Sequence, residues 1–157
     1  MSGASPAVLL VCLGNICRSP LAEAAFRAEA RKAGLDLEID SAGTADWHVG
    51  KPPDPRSVAV AAAAGIDISG LKARQVTEDD FRRFTHIFAM DNQNLADLVA
   101  IAPPDAAARV GLLLDMVAFR EGASVVDPYY GDAEMFEYTW SAVSEAARAF
   151  MELHAHG

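Results

Sequence analysis

The chain has 157 residues, 52% of them apolar and 22% charged. That globular composition excludes a disordered or fibrous protein and suits a single domain, 1–157, with one hydrophobic core. The formal net charge of −9 argues against nucleic acid and anionic membranes as partners, and an anion site in such a chain must supply its own local positive potential. Two cysteines, Cys12 and Cys17, are too few for a secreted disulfide framework. The apolar run Val8–Val11 is too short for a signal-peptide core, and no run reaches the length of a membrane span. A cytoplasmic protein without membrane insertion is therefore expected.

Residues 1–6 read as a loose tail. Ala7–Cys12 is a short apolar run suited to a buried parallel strand. A turn with Gly14 and Asn15 follows, and Ser19–Pro20 opens a helix, with Pro20 at the first helical position. Leu21, Ala24, Ala25 and Ala28 share one face of that helix, and Gly34 ends it. Leu37, Ile39 and Ser41 lie on a second strand that stops at Ala42–Gly43. Asp54–Pro55 caps and opens a helix that runs to Gly65. Thr77 and Asp80 have the spacing of a variant capping box before a short helix. Ile87–Met90 is a third strand, Asp91 caps the next helix, and Pro103–Pro104 stops it. Val110–Leu114 is a fourth strand. A long C-terminal helix follows Asp127–Pro128, with Phe136, Trp140, Val143, Ala147 and Phe150 as its apolar stripe. Strands alternating with helices predict an α/β domain whose parallel sheet is covered on both faces. Ligands in such sheets sit beyond the C-terminal strand ends, where Cys12 falls.

The segment Cys12-Leu13-Gly14-Asn15-Ile16-Cys17-Arg18-Ser19 carries the chemistry. A loop between a strand and a helix N-terminus can turn several backbone N–H groups onto one tetrahedral dianion, aided by the helix dipole. Gly14 lets the backbone turn, and the planar fork of Arg18 can hold two phosphate oxygens at once. The same positive field favours a thiolate at Cys12, to which Ser19 can donate a hydrogen bond. Nucleophile and oxyanion clamp thus come from one segment. The competing reading is that Cys12 and Cys17 are core thiols and Arg18 a surface charge. No metal is expected: the two cysteines have no nearby histidines, and His48, His86, His154 and His156 show no ligand spacing. No cofactor is implied.

At these residues the sequence resembles the low-molecular-weight protein tyrosine phosphatases. The likeness runs from Val11 through Pro20, then Ser41-Ala42-Gly43-Thr44, Asp46-Trp47, Pro53-Asp54-Pro55-Arg56, Ala73-Arg74-Gln75, Met90-Asp91 and Asp127-Pro128-Tyr129-Tyr130. It implies a four-stranded parallel sheet flanked by helices. It also implies hydrolysis of phosphotyrosine in proteins through a phosphocysteine on Cys12, with the phosphoryl oxygens held by Arg18 and the loop amides from Leu13 through Ser19. Asp127 is then the acid that protonates the leaving group and the base that activates water; taken alone, it reads equally well as a turn aspartate. The resemblance sets Trp47 on one wall of the cleft, although a lone tryptophan is more often core. Tyr129 and Tyr130 can wall the other side, or divide between core and surface. Asn15 and Ser41 match a hydrogen-bond network that shapes the phosphate loop. Leu71 stands where some relatives carry a histidine of that network. Cys17 matches a residue that can form a disulfide with the nucleophile and guard it from overoxidation.

The rivals are a phosphoarginine phosphatase and an arsenate reductase on the same fold, and a non-catalytic phosphate-binding or thiol redox module. No cysteine follows Cys17 to carry an arsenate-reducing relay. Ile16 stands where phosphoarginine-specific relatives often have threonine. Asp127 argues against a module without catalysis. The expected partners are a phosphotyrosine protein and inorganic phosphate, as product and inhibitor, with the chain a monomer.

Overall fold

A computed structural model describes residues 6–155. The expected loose tail lies outside the described residues apart from Pro6, whose carbonyl accepts the Glu38 N–H. His156 lies outside them too.

Four strands form one parallel sheet: β1 (Ala7–Cys12), β2 (Glu38–Gly43), β3 (His86–Ala89) and β4 (Arg109–Leu112), in the order β2-β1-β3-β4. β1 lies inside the sheet and all six of its residues are buried. A strand covered on both faces can be apolar throughout rather than alternating. Its side chains divide by parity. Val8, Leu10 and Cys12 join Ile39, Phe88 and Met90 under α1 (Arg18–Ala33) and α5 (Ala133–Ala155). Leu9 and Val11 join Ala42, Ile87 and Ala89 on the other face, under α3 (Asp80–Arg83) and α4 (Asn92–Ile101). α2 (Pro55–Ala63) packs against α1 through Ala61 and Ala24, with Ile66 and Ile68 closing that cluster.

The helix boundaries follow local chemistry. Gly34 ends α1 in the left-handed conformation, φ 68°, which glycine adopts without a Cβ penalty. Asp54 accepts the Arg56 N–H at the start of α2, with Pro55 at the first helical position. Asp91 accepts the Asn94 N–H at 2.7 Å and caps α4. Asp80 reaches back to the Thr77 N–H at 2.8 Å, completing the expected acidic half of a capping box.

α2 ends at Ala63 rather than Gly65 and β3 lies one residue earlier than expected, and two further expectations shift. α1 begins at Arg18, so Pro20 is its third residue rather than its first. The position is tolerated because the first four helical N–H groups have no partner within the helix. The fourth strand ends at Leu112, and Leu113–Met116 winds into a 3₁₀ turn. Leu113 and Leu114 are buried there against the α5 side of the sheet. A short apolar run does not reveal whether extended or helical backbone carries it into the core.

Candidate active site

β1 carries Cys12 to the C-terminal edge of the sheet, and the chain turns through residues 13–17 into α1. The turn is pinned to the neighbouring strand end: the Thr44 N–H donates to the Cys12 carbonyl at 2.9 Å and the Ala45 N–H to the Leu13 carbonyl at 3.0 Å. Gly43 sits opposite, where a Cβ would come within 2.6 Å of the Leu13 carbonyl oxygen. Only glycine lets the loop lie this close to β2.

The Cys12 Sγ is buried and lies 3.0 Å from the Ser19 Oγ. It also accepts the Asn15 N–H at 3.3 Å. Asn15 has φ 58°, a left-handed conformation that asparagine tolerates better than most side chains. Its amide donates to Ser19 Oγ at 2.8 Å and Ser41 Oγ at 3.1 Å, and its carbonyl oxygen accepts the Arg74 N–H at 3.0 Å. Ser41 in turn donates to Glu23 Oε1 at 2.7 Å. Glu23 is wholly buried, and burial pushes its carboxyl above the usual value, opposed by Ser41 and by Arg27. The expected Asn15–Ser41 network is therefore present. Glu23 is its unanticipated base. In sequence, Glu23 and Arg27 look like a surface i,i+4 ion pair; the small apolar residues Ala22, Ala24 and Ala25 around Glu23 were the available signal. Leu71 packs against the Ala24–Ala61–Ile66–Ile68 cluster, and Asn15 finds its partners without it.

Arg18 is buried. Its guanidinium donates to Asp91 Oδ2 at 2.8 Å and to the Val125 carbonyl at 3.1 Å. Asp91 thus caps α4 with one oxygen and orients Arg18 with the other, a double role invisible in the capping pattern. A second Arg18 nitrogen lies 3.9 Å from Asp127 Oδ2. The side chain of Asp127 is 54% exposed, and its Oδ1 accepts the Tyr129 N–H at 3.1 Å. Asp127 is thus a turn aspartate and a neighbour of Arg18 at once.

Cys12, Arg18 and Asp127 line one cleft of about 320 Å³. Leu13, Gly14, Ile16 and Cys17 also line it. Trp47, Tyr129 and Tyr130 stand at its walls. Trp47 is 67% exposed and Tyr130 96%, so neither is core, and the two tyrosine rings meet edge-to-face with centroids 4.9 Å apart. His48, which carried no role in the sequence, also lines the cleft and sits against Gly14, where a Cβ would meet its ring at 2.9 Å. Asn15 and Ser19, expected among the substrate-binding residues, are not among those lining the cleft; they hydrogen-bond to one another and, through Asn15, to Ser41. Among the described residues no group of three or more His, Cys, Asp or Glu side chains could hold a metal ion. None of their helices is long and apolar enough to cross a membrane.

Residues 7–156 match the family model described as low molecular weight phosphotyrosine protein phosphatase. A curated relative of that description from Schizosaccharomyces pombe is 43% identical over 148 residues, covering 92% of this chain and 94% of the relative. The crystal structure of a protein tyrosine phosphatase from Entamoeba histolytica, with Hepes in its active site, superposes with a TM-score of 0.89 at 33% identity, covering 98% of this chain and 99% of that one. The crystal structure of a drosophila arginine phosphatase superposes with a TM-score of 0.88 at 32% identity, covering 94% and 97%.

Cys17 is buried, and desolvation, reinforced by the Asp54 carboxylate, pushes its thiol from 9.0 to about 12. The folded value lies above the unfolded one, so the stability that the neutral thiol contributes is complete below pH 9 and is lost as pH rises toward 12. We predict that iodoacetamide spares Cys17 in the native protein at neutral pH, and that alkylation accelerates on approach to pH 12. Peptide mapping by mass spectrometry reads this out. Modification of Cys17 at pH 7 as fast as in the unfolded chain would contradict the assignment.

Proposed function

The chain belongs to the low molecular weight phosphotyrosine protein phosphatase family, and on that premise we propose that it hydrolyses phosphotyrosine in proteins with Cys12, Arg18 and Asp127 as its catalytic residues. The observation that carries this reading is the meeting of all three in one cleft at the C-terminal edge of the sheet.

In this mechanism the phosphoryl group enters over Cys12. Backbone N–H groups of the loop from Leu13 to Ser19 and the N-terminus of α1 receive its oxygens. Arg18, aimed by Asp91, clamps two of them through its fork. The Cys12 thiolate, steadied by Ser19, attacks phosphorus; the P–S bond forms as the bond to the tyrosine oxygen breaks. Asp127 delivers its proton to that departing oxygen. The resulting carboxylate then takes a proton from water, which attacks the phosphocysteine and releases inorganic phosphate and the thiolate. Phosphate, as the shared tetrahedral anion, competes for the loop. A positioned acid of this kind contributes about 10²–10⁴-fold.

The walls favour an aromatic ester. Trp47, Tyr129 and Tyr130 offer apolar faces on which a phenyl ring can stack, and Ile16 adds apolar surface to the lining. The likeness to an arginine phosphatase keeps phosphoarginine as the direct comparison. Cys17 serves as a redox guard. Peroxide oxidises the Cys12 thiolate to a sulfenic acid, the Cys17 sulfur displaces water from it to give a disulfide, and a dithiol restores both thiols. In the reduced enzyme the raised pKa of Cys17 leaves Cys12 as the nucleophile. Recycling by a dithiol fits a reducing cytoplasm.

On peptides carrying phosphotyrosine, phosphoarginine or phosphoserine, we expect kcat/KM to be highest for phosphotyrosine and activity to vanish in Cys12→Ser. Turnover surviving in Cys12→Ser would sink the mechanism, and a preference for phosphoarginine would reassign the substrate. Asp127→Ala should lower kcat/KM by roughly 10²-fold or more on aryl phosphates with poor leaving groups and far less on those with good ones. A uniform loss across that series would remove Asp127 as the acid. After peroxide treatment, dithiol should restore wild type but only poorly restore Cys17→Ser; equal recovery would remove the guard.

A further inference from the structure

Asp127 lies on a loop that is half-exposed, yet an acid must be held to within a fraction of an ångström to transfer its proton. The upstream limb of the loop is well tied. The Val125 N–H donates to the Met90 carbonyl at 2.7 Å, the Val125 carbonyl accepts from Arg18, and Thr139 Oγ1 donates to the Val126 carbonyl at 3.0 Å. The downstream limb, residues 128–131, has one internal bond, from the Gly131 N–H to the Pro128 carbonyl at 2.8 Å, and is joined to Asp127 by the Tyr129 N–H, which donates to Oδ1 at 3.1 Å. Among the described residues, its hydrogen bonds to the rest of the fold come from one side chain. Arg56 donates to the Tyr129 carbonyl at 2.8 Å and to the Gly131 carbonyl at 3.2 Å.

Arg56 is itself fixed. Its Nε donates to Asp54 Oδ1 at 3.0 Å and its NH2 to Asp54 Oδ2 at 2.9 Å. Its guanidinium lies over the ring of buried Phe136 in α5, 4.5 Å from the centroid. Asp54 is anchored on the phosphate loop, its N–H donating to the Ile16 carbonyl at 2.8 Å. A continuous path therefore runs from Ile16 in the phosphate loop through Asp54 and Arg56 to the carbonyls flanking Tyr130. The four bonds engage Nε and both terminal nitrogens, a pattern open to a rigid planar fork and closed to an ammonium.

We propose that Arg56 is a positioning residue for the reaction: it clasps the acid-bearing loop to the phosphate loop and so sets the reach of Asp127 to the leaving-group oxygen. The proposal rests on the reading of Asp127 as the acid. It differs from a purely structural role in a measurable way. A clasp that acts through Asp127 controls leaving-group departure and leaves phosphate capture by the Cys12–Ser19 loop intact.

The test measures kcat/KM over a series of aryl phosphates of graded leaving-group pKa, with the inhibition constant of inorganic phosphate, for wild type, Arg56→Met, Arg56→Lys, Asp127→Ala and the Arg56→Met/Asp127→Ala pair. Arg56→Met and Arg56→Lys should both lose roughly 10- to 100-fold on the poorest leaving groups, about the cost of a misplaced catalytic group. They should lose little on the best ones and keep the phosphate constant within about twofold. In the Asp127→Ala background, Arg56→Met should cost nothing further, because the two act as one unit. Equal losses across the series, a phosphate constant that worsens in step with kcat/KM, additive losses in the double variant, or full activity in Arg56→Lys would each overturn the clasp. A flat series in Asp127→Ala would overturn the acid reading and the clasp with it, which separates the two failures. If circular dichroism shows that Arg56→Met does not fold, Arg56→Lys, which keeps the charge and an aliphatic stem, carries the same comparison alone and paired with Asp127→Ala.

Discussion

The left-handed backbone at Asn15 is the constraint on which the rest of the site depends. A residue with a side chain pays for that conformation unless its surroundings over-determine it. Here they do: one side-chain amide reaches α1 at Ser19, β2 at Ser41 and the Arg74 backbone. The turn it fixes brings the Asn15 N–H to the Cys12 sulfur. The same side chain engages the Ser19 hydroxyl that faces that sulfur. A core glutamate, Glu23, sits beneath. Its ionised form is costly in a buried setting, and Ser41 together with the fork of Arg27 offsets that cost. The buried polar chain thus gives the phosphate loop a fixed shape before any anion arrives, which is the condition for electrostatic catalysis without reorganisation.

A second constraint is charge. With a formal net charge of −9, the protein attracts a phosphate dianion only through short-range geometry. The buried Arg18 beside Asp91, at the N-terminus of α1, concentrates positive potential at one spot. Asp91 offsets part of that charge while aligning the fork through one terminal nitrogen, so the loop amides and the helix N-terminus must supply the rest of the potential.

Much of this was legible in the chain. Local signals found β1, the Cys12–Arg18 loop, the Gly34 stop, the Asp54 and Asp91 caps and the stripe of α5, because each is written in neighbouring residues. What escaped depends on contacts between distant segments. Glu23 looks like half of a surface ion pair until α1 docks on β2. Asp91 looks like a cap until Arg18 arrives from 73 positions away. Arg56 looks like an ordinary charge in a first helical turn until the loop after Asp127 folds over it. Trp47 was ambiguous for the same reason, since nothing local tells a core tryptophan from one standing at a cleft. The end of β4 was misjudged because Leu113 and Leu114 are apolar in either backbone conformation.

The central position of β1 has a consequence for how the enzyme comes into being. Its partners β2 and β3 lie about 30 and 80 residues downstream, and the loop bearing Asp127 is tied through Thr139 on α5. Contacts this remote form late, after most of the loop-closure entropy has been spent. A chain still emerging from synthesis therefore carries Cys12 and Arg18 long before it carries Asp127 and the helix that ties its loop. The cleft lined by Cys12, Arg18 and Asp127 is therefore assembled only as the fold is completed.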